Sequence, residues 1–201
     1  MHKLTFSQAS PYVRKVMLAS FFIGINKEIL LINQNDDEYN KLRSQNPLGK
    51  IPILMKPNEQ CLFDSRVIIE YFNSIREGLF PNNQEDKDII LTKTALSEGI
   101  TDAGLLYVYS SRYAGEEKPS KIWQDLQISK INASLSFIDN EISNWNTGSK
   151  IYISHIGLIV ALDYLNFRKI FNWKNKYSNI SGWHDNLKNK LPGYFETYPT
   201  D

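Results

Sequence analysis

The spacing of apolar residues changes repeatedly over the first eighty positions. In "KLTF", Leu4 and Phe6 alternate with polar neighbours, the pattern of a half-buried strand. From Ser10 the spacing widens: Val13, Val16, Met17 and Phe21 fall at i, i+3, i+4 and i+8, one face of a helix. Ser10 supplies an N-cap, Pro11 the first helical position and Gly24 the residue past the end. "KEILLIN" is a short apolar run and reads as a buried strand. "DEYNKLRSQ" reads as a short polar helix or irregular segment, ended by Asn46–Pro47. "KIPILM" and "QCLF" read as two strands joined by the turn "KPNEQ". Ser65 then caps a helix with Ile68, Tyr71, Phe72 and Ile75 at i, i+3, i+4 and i+7, and Gly78 ends it. The predicted order is β-α-β-α-β-β-α.

The stretch "EGLFPNNQEDKD" is polar and contains Gly and Pro, which marks a connection between domains. Beyond it the strand pattern disappears. Ile131, Leu135, Ile138, Ile142 and Trp145 step by 4, 3, 4 and 3, a helical stripe. Residues 86–113 and 154–171 also read as helices. A mixed half followed by a helical half predicts an α+β protein rather than a doubly wound sheet. The expected organisation is a domain over 1–78, a linker over 79–85 and an all-helical domain over 86–201.

Composition narrows the function. The 201 residues carry 23 basic and 22 acidic side chains, a net charge of +1, without the basic excess of a nucleic-acid or membrane-surface binder. No run approaches the length of a signal peptide or a membrane span. The single Cys61 leaves no disulfide framework and fits a reduced, cytoplasmic setting. His2, His155 and His184 lack metal-ligand spacing and Cys61 lacks a CxxC partner, so no metal is expected.

Three short segments present groups suited to an anionic or peptide-like ligand. The first is Ser10–Pro11. Capping alone explains the pair, but a helix N-terminus also carries orphan N–H groups and a positive dipole end. Lowering a thiol from a pKa of about 8.5 to about 6.5 needs ~2.7 kcal/mol. A hydrogen bond to a charged group supplies ~1.5–3 kcal/mol and the dipole roughly 0.3–1. A hydroxyl and a helix end therefore suffice to hold a ligand thiolate, with Ser10 donating and not attacking. The absence of G-x-S-x-G disfavours a hydrolase. The second segment is "NPLGKIPIL", where Pro52 lies at a strand edge and Ile51–Pro52 is a candidate cis bond. Ile51 keeps an N–H and a C=O for an extended ligand, and Lys50 stands beside it for a carboxylate. The third is Asp64–Ser65 before "RVIIEYF": Ser65 as an ordinary N-cap explains it, and the functional alternative is Ser65 for a ligand carboxylate and Asp64 for the neighbouring ammonium, a pairing that suits an α-amino acid.

Together these segments resemble the soluble glutathione S-transferase superfamily, over nearly the whole chain. "SPYVRKV" is similar to the active-site segment of serine-type members, "NPLGKIPIL" to the cis-proline loop and "FDS" to the γ-glutamyl site. "ALDYLNFR" and "PGYFETYP" resemble the helical domain of small bacterial members. The resemblance implies a thioredoxin-like N-terminal domain, a helical C-terminal domain and a cytoplasmic homodimer acting in detoxification. It assigns Ser10 to the thiolate of bound glutathione, Lys50 and Ile51 to its glycyl and cysteinyl parts, Pro52 to the cis-proline, and Asp64 and Ser65 to its γ-glutamyl group. A small hydrophobic electrophile would be the second substrate, and Tyr12, Tyr107 and Ser111, with Tyr113 nearby, are the candidates to line its pocket.

The sequence departs from the family pattern in places. Ser10 stands where thiol-transferring members have Cys, so mixed-disulfide chemistry is not expected. "NQNDDEYNKLR" begins acidic where many members carry a base, leaving Lys41 or Arg43 to substitute. The helical domain's capping-box positions hold Tyr152 and His155, so the box is expected to be missing and the helix to begin at Ser154. Arg14 and Lys15 are candidates to feed positive potential to the site, with Lys15 expected on a solvated face. A non-catalytic transferase-like scaffold, and a glutathione-dependent peroxidase or isomerase, are the alternative functions.

Overall fold

A computed structural model describes residues 1–145 and 150–200. The chain forms two compact units, Met1–Pro81 with the segment from Leu191 onward, and Asn82–Lys190.

The first unit is built on a four-stranded sheet of order β2-β1-β3-β4, with β1 at His2–Thr5, β2 at Ile29–Ile32, β3 at Leu54–Met55 and β4 at Cys61–Leu62. β1 runs parallel to β2 with Leu4 opposite Leu31, antiparallel to β3 with Leu4 opposite Leu54, and β3 runs antiparallel to β4. Helices α1 (Pro11–Phe22), α2 (Asp37–Arg43) and α3 (Ser65–Ile75) complete the thioredoxin-like arrangement. The order matches the apolar pattern, but β3 and β4 are shorter than their apolar runs. Pro52 lacks an N–H and cannot extend β3 backward.

Two apolar stripes differ from expectation. On α1, Val13 and Val16 are fully buried, but so are Leu18 and Ala19, whereas Met17 and Phe21 are half-buried. Arg14 and Lys15 are also buried, at 4% and 3% exposure, which corrects the solvated face expected for Lys15. Arg14 is covered by the segment after Leu191, which lies along α1. On α3, Ile68, Ile69 and Phe72 are buried while Ile75 is 41% exposed. The helix stops at Ile75 rather than at Gly78, and Asn73 Oδ1 accepts the N–H groups of Gly78 and Leu79 at 3.2 and 3.0 Å.

The second unit is helical: α4 (Gln84–Arg112), α5 (Lys121–Glu141), α6 (Ile153–Phe167) and α7 (Ser178–Lys188). The α5 stripe holds, with Ile131, Leu135, Ile138 and Trp145 buried and Ile142 half-buried. α6 is buried on every side from Ile153 to Leu165, as an all-round apolar helix must be. It packs against α4 at small residues: a Cβ on Gly157 would meet Ser97 Cβ at 3.3 Å, and one on Gly104 would meet Leu165 Cδ2 at 3.3 Å. Asp163 and His184 pair in the interior, with His184 Nε2 at 2.7 Å from Asp163 Oδ1.

The start of α6 corrects another expectation. The helix begins at Ile153 with Tyr152 as N-cap, and His155 Nδ1 accepts the backbone N–H of Tyr152 at 3.0 Å. Half of a capping box is thus present, made by an imidazole instead of a carboxylate. Because Nδ1 accepts, Nε2 carries the proton and donates to the Trp145 carbonyl at 2.5 Å.

Candidate functional site

β1 ends at Thr5 and the chain turns into α1 through Ser10. Ser10 has extended backbone (φ −87°, ψ 118°), and its Oγ accepts the Val13 N–H at 3.4 Å, a long capping bond. The hydroxyl proton has no acceptor among the described residues. A half-buried hydroxyl at a helix N-terminus, with its proton uncommitted, is equipped to donate to an external acceptor.

The Ile51–Pro52 bond is cis. Its segment is fastened to the end of β1: Thr5 N–H donates to the Ile53 carbonyl at 3.0 Å, and Thr5 Oγ1 accepts the Ile53 N–H at 2.8 Å. Among the described residues, neither the N–H nor the C=O of Ile51 has a backbone partner. The preceding turn is closed by Asn46, whose Oδ1 accepts the Leu48 N–H at 3.0 Å and whose Nδ2 donates to the Lys50 carbonyl at 2.9 Å. Arg43 Nε donates to the Gly49 carbonyl at 2.9 Å, so it shapes this loop. The Lys50 side chain is exposed.

At the third segment the cap is Asp64, not Ser65. Asp64 Oδ1 accepts the Arg66 N–H at 2.9 Å, and buried Ser65 is the first helical residue. The pair is shifted by one residue because Asp64 keeps extended backbone and a carboxylate caps as well as a hydroxyl. Arg66 Nε lies 3.6 Å from Asp64 Oδ2. The Asp64 side chain remains 57% exposed.

The sheet register brings the three segments together. Ser10 follows the C-terminal end of β1. β3 is antiparallel to β1, so the residues before it, Ile51–Ile53, lie at that same end. β4 is antiparallel to β3, so Asp64, just past β4, lies there too. One end of one sheet thus presents a hydroxyl with a helix N-terminus, the backbone N–H and C=O of Ile51 and an exposed carboxylate at a second helix N-terminus. The arrangement can take a short extended peptide by its main chain, its ammonium and one anionic atom.

The remaining candidates divide between the units. Tyr12 is half-buried on α1. Tyr107 and Ser111 share a face of α4 at i, i+4, half-buried and exposed respectively, and Gln124 Nε2 donates to Ser111 Oγ at 3.0 Å. Tyr113 is exposed and stacks edge-on with Tyr109, the ring centroids 5.2 Å apart. Cys61 is half-buried on β4, where burial pushes its thiol above the usual range. Sequence reasoning missed Thr5, Asn46 and Gln8. Asn46 was legible: an Asn ahead of Pro-x-Gly closes a turn through its own side chain. Thr5 and Gln8 act through partners distant in sequence and left no local signal.

A family model for the glutathione S-transferase N-terminal domain matches residues 9–75. The chain is 30% identical over 175 residues to the uncharacterized GST-like protein YibF of Escherichia coli, covering 84% of each. Its fold superposes on a glutathione transferase family member from Pseudomonas fluorescens with bound glutathione, at TM-score 0.90 and 32% identity over the whole of both chains. The same comparison gives TM-score 0.86 and 31% identity for a P. fluorescens family member with bound S-(propanoic acid)-glutathione, again over the whole of both chains. A Methylobacillus flagellatus glutathione S-transferase with glutathione bound follows at TM-score 0.88 and 28% identity, also over the whole of both. With this sheet, this helical unit and these relatives, the chain belongs to the glutathione S-transferase superfamily.

Proposed function

We propose that the protein is a glutathione transferase that binds glutathione and activates its thiol as a thiolate. Ser10 donates its hydroxyl proton to the sulfur, and the α1 N-terminus adds its dipole. Ile51 pairs with the cysteinyl main chain beside Pro52, Lys50 faces the glycyl carboxylate, and Asp64 with Ser65 takes the γ-glutamyl end. The thiol proton leaves to solvent. The thiolate lone pair then forms a C–S bond to a small electrophile, whose leaving group or π bond takes the displaced electron pair. Ser10 makes no covalent bond. Tyr12, Tyr107 and Ser111 are assigned to the electrophile. No metal takes part, and the setting is the cytoplasm.

The observation that carries this reading is the uncommitted proton of the Ser10 hydroxyl at a helix N-terminus, at the sheet end shared with Ile51 and Asp64. The glutathione and S-(propanoic acid)-glutathione held by the Pseudomonas relatives support it, the latter being a thioether of the kind such a reaction forms. A non-catalytic scaffold would have no use for the unpaired Ile51 backbone, whereas the Asp64 carboxylate would still cap α3.

The test is the thiolate absorbance of bound glutathione at pH 7. Ser10→Ala is expected to lower the acid dissociation constant of the bound thiol by one to two orders of magnitude, corresponding to the loss of roughly 1.5–3 kcal/mol, which from a pKa of about 6.5 lowers the thiolate fraction at pH 7 roughly fourfold to fortyfold. Ser10→Thr should recover most of it. Equal thiolate fractions in wild type and Ser10→Ala would refute the mechanism.

A further inference from the structure

The last residues of the chain form contacts that the proposed chemistry does not use. They run antiparallel along α1: Gly193 lies on Phe21, Tyr194 and Thr197 on Arg14, and Tyr198 reaches Gln8. Gly193 has φ +78°, and a Cβ there would fall 2.4 Å from Phe21 Cγ, so this crossing requires glycine. The Arg14 guanidinium carbon stands 5.1 Å from the ring centroid of Tyr194 and 5.1 Å from that of Tyr198. Its Nη2 donates to the Tyr194 carbonyl at 3.4 Å and its Nε to Thr197 Oγ1 at 3.5 Å. Thr197 is itself turned inward, its N–H and Oγ1 both donating to the Gly193 carbonyl, at 3.0 and 2.8 Å. On the other side of Ser10, Gln8 Nε2 donates to the Tyr198 carbonyl at 3.3 Å.

Ser10 lies between these two grips. Its carbonyl accepts the Arg14 N–H at 3.0 Å, and its N–H donates to Ser7 at 3.0 Å. The two rings stand side by side against the guanidinium, their centroids 5.9 Å apart, and a buried cation attracted by both is costly to release from its desolvated position. Its rotamer is therefore fixed, and with it the first turn of α1. Hydrogen bonds weaken steeply with distance and angle, so a hydroxyl that must meet a sulfur depends on the rigidity of the turn that carries it.

We propose that the C-terminal segment is a positioning element for Ser10: Tyr194 and Tyr198 enclosing Arg14, and the Tyr198 carbonyl holding Gln8, fix the β1–α1 junction from both sides and aim the Ser10 hydroxyl. This rests on the reading of Ser10 as the group that binds the thiol. Arg14 and Gln8 act through the turn and touch no substrate. Ile51, Asp64 and Ser65 lie outside these contacts, so the segment governs the thiol and not the grip on the rest of the tripeptide.

The experiment uses full-length Tyr198→Leu, Arg14→Met and Gln8→Leu, with Tyr198→Phe as the variant that keeps the ring over Arg14. Each is titrated with pH for the thiolate absorbance of bound glutathione, and its glutathione Kd is measured by calorimetry. Tyr198→Leu and Arg14→Met should lower the thiolate fraction at pH 7 roughly tenfold, the scale of a small misplacement of a catalytic group. Glutathione Kd should stay within about threefold and Tyr198→Phe should follow the wild type. Gln8→Leu leaves the Arg14 enclosure intact, so it reports even if the Arg14 variant does not fold; it should move the titration in the same direction. Unchanged titration in folded Tyr198→Leu and Gln8→Leu overturns the proposal, as does a loss of thiolate matched by an equal loss of affinity. If Ser10→Ala also leaves the titration unchanged, the underlying reading falls. If Ser10→Ala lowers the thiolate fraction and the tail variants do not, only the positioning role falls.

Discussion

Gln127 on α5 is fully buried, and neither its Oε1 nor its Nε2 has a hydrogen-bond partner among the described residues. Its neighbour one turn earlier, Gln124, shows the ordinary solution, its amide donating to Ser110 and Ser111 at 3.1 and 3.0 Å. Burying an amide without partners costs about 1–3 kcal/mol by mutational data. Gln127→Leu replaces both orphaned atoms with apolar ones of similar length. It should raise the stability of the helical unit by roughly 1–2 kcal/mol in denaturant unfolding. A destabilised variant would show that the amide is satisfied in solution, for instance by a buried water. Spacing alone puts Gln127 in line with the Ile131–Leu135–Ile138 stripe, four residues before Ile131, but its polarity does not announce burial.

At the scale of elements, α3 has two apolar faces. Ile68, Ile69 and Phe72 face the interior, while Val67, Tyr71 and Ile75 fall at i, i+4 and i+8 on the flank next to that buried face. Val67 and Ile75 are 47% and 41% exposed, and Tyr71 is half-buried, its hydroxyl 2.9 Å from His2 Nε2. The prediction drawn from this stripe is that a second copy of the chain packs on it. Sedimentation should give twice the chain mass for the wild type and the single-chain mass for Val67→Asp/Ile75→Asp. A dimer that survives both substitutions places the interface elsewhere. Neither face of α3 can be read from the sequence alone: Tyr71 and Ile75 belong to the predicted inner stripe, because period and polarity cannot tell a second apolar face from a broad first one. Element existence was legible wherever the period was long. The boundaries were not, since β3 begins only after Pro52 and the cap of α3 moves to Asp64.

At the scale of the whole molecule, the local signals gave the order of elements and the three candidate segments. They did not give the path of the last residues, because Arg14 and Tyr198 are far apart in sequence and no local pattern links them. Histidine adds a property that belongs to both units. His2 in the first unit and His155 in the second both have pKa values below the ordinary 6.5, chiefly because burial disfavours the charged imidazole. For each, the unfolded chain binds a proton at a higher pH than the folded chain does. Below about pH 6.5 the unfolded state therefore takes up more protons, and stability falls as pH is lowered through that window. Above it both states are neutral and the contribution is flat. His155 also has its Nδ1 committed as acceptor for the Tyr152 N–H, so a proton there breaks the α6 cap as well as charging the core. His155→Asn leaves an amide oxygen for that N–H but cannot be protonated. It loses the Nε2–H that donates to the Trp145 carbonyl and should cost about 1 kcal/mol at pH 7.5, the worth of one hydrogen bond. On acidification to pH 5.5 the wild type should lose stability faster than the variant, so the gap between their thermal unfolding midpoints should narrow. A gap that stays constant or widens between pH 7.5 and 5.5 would mean that His155 takes no part in the acid sensitivity of the helical unit.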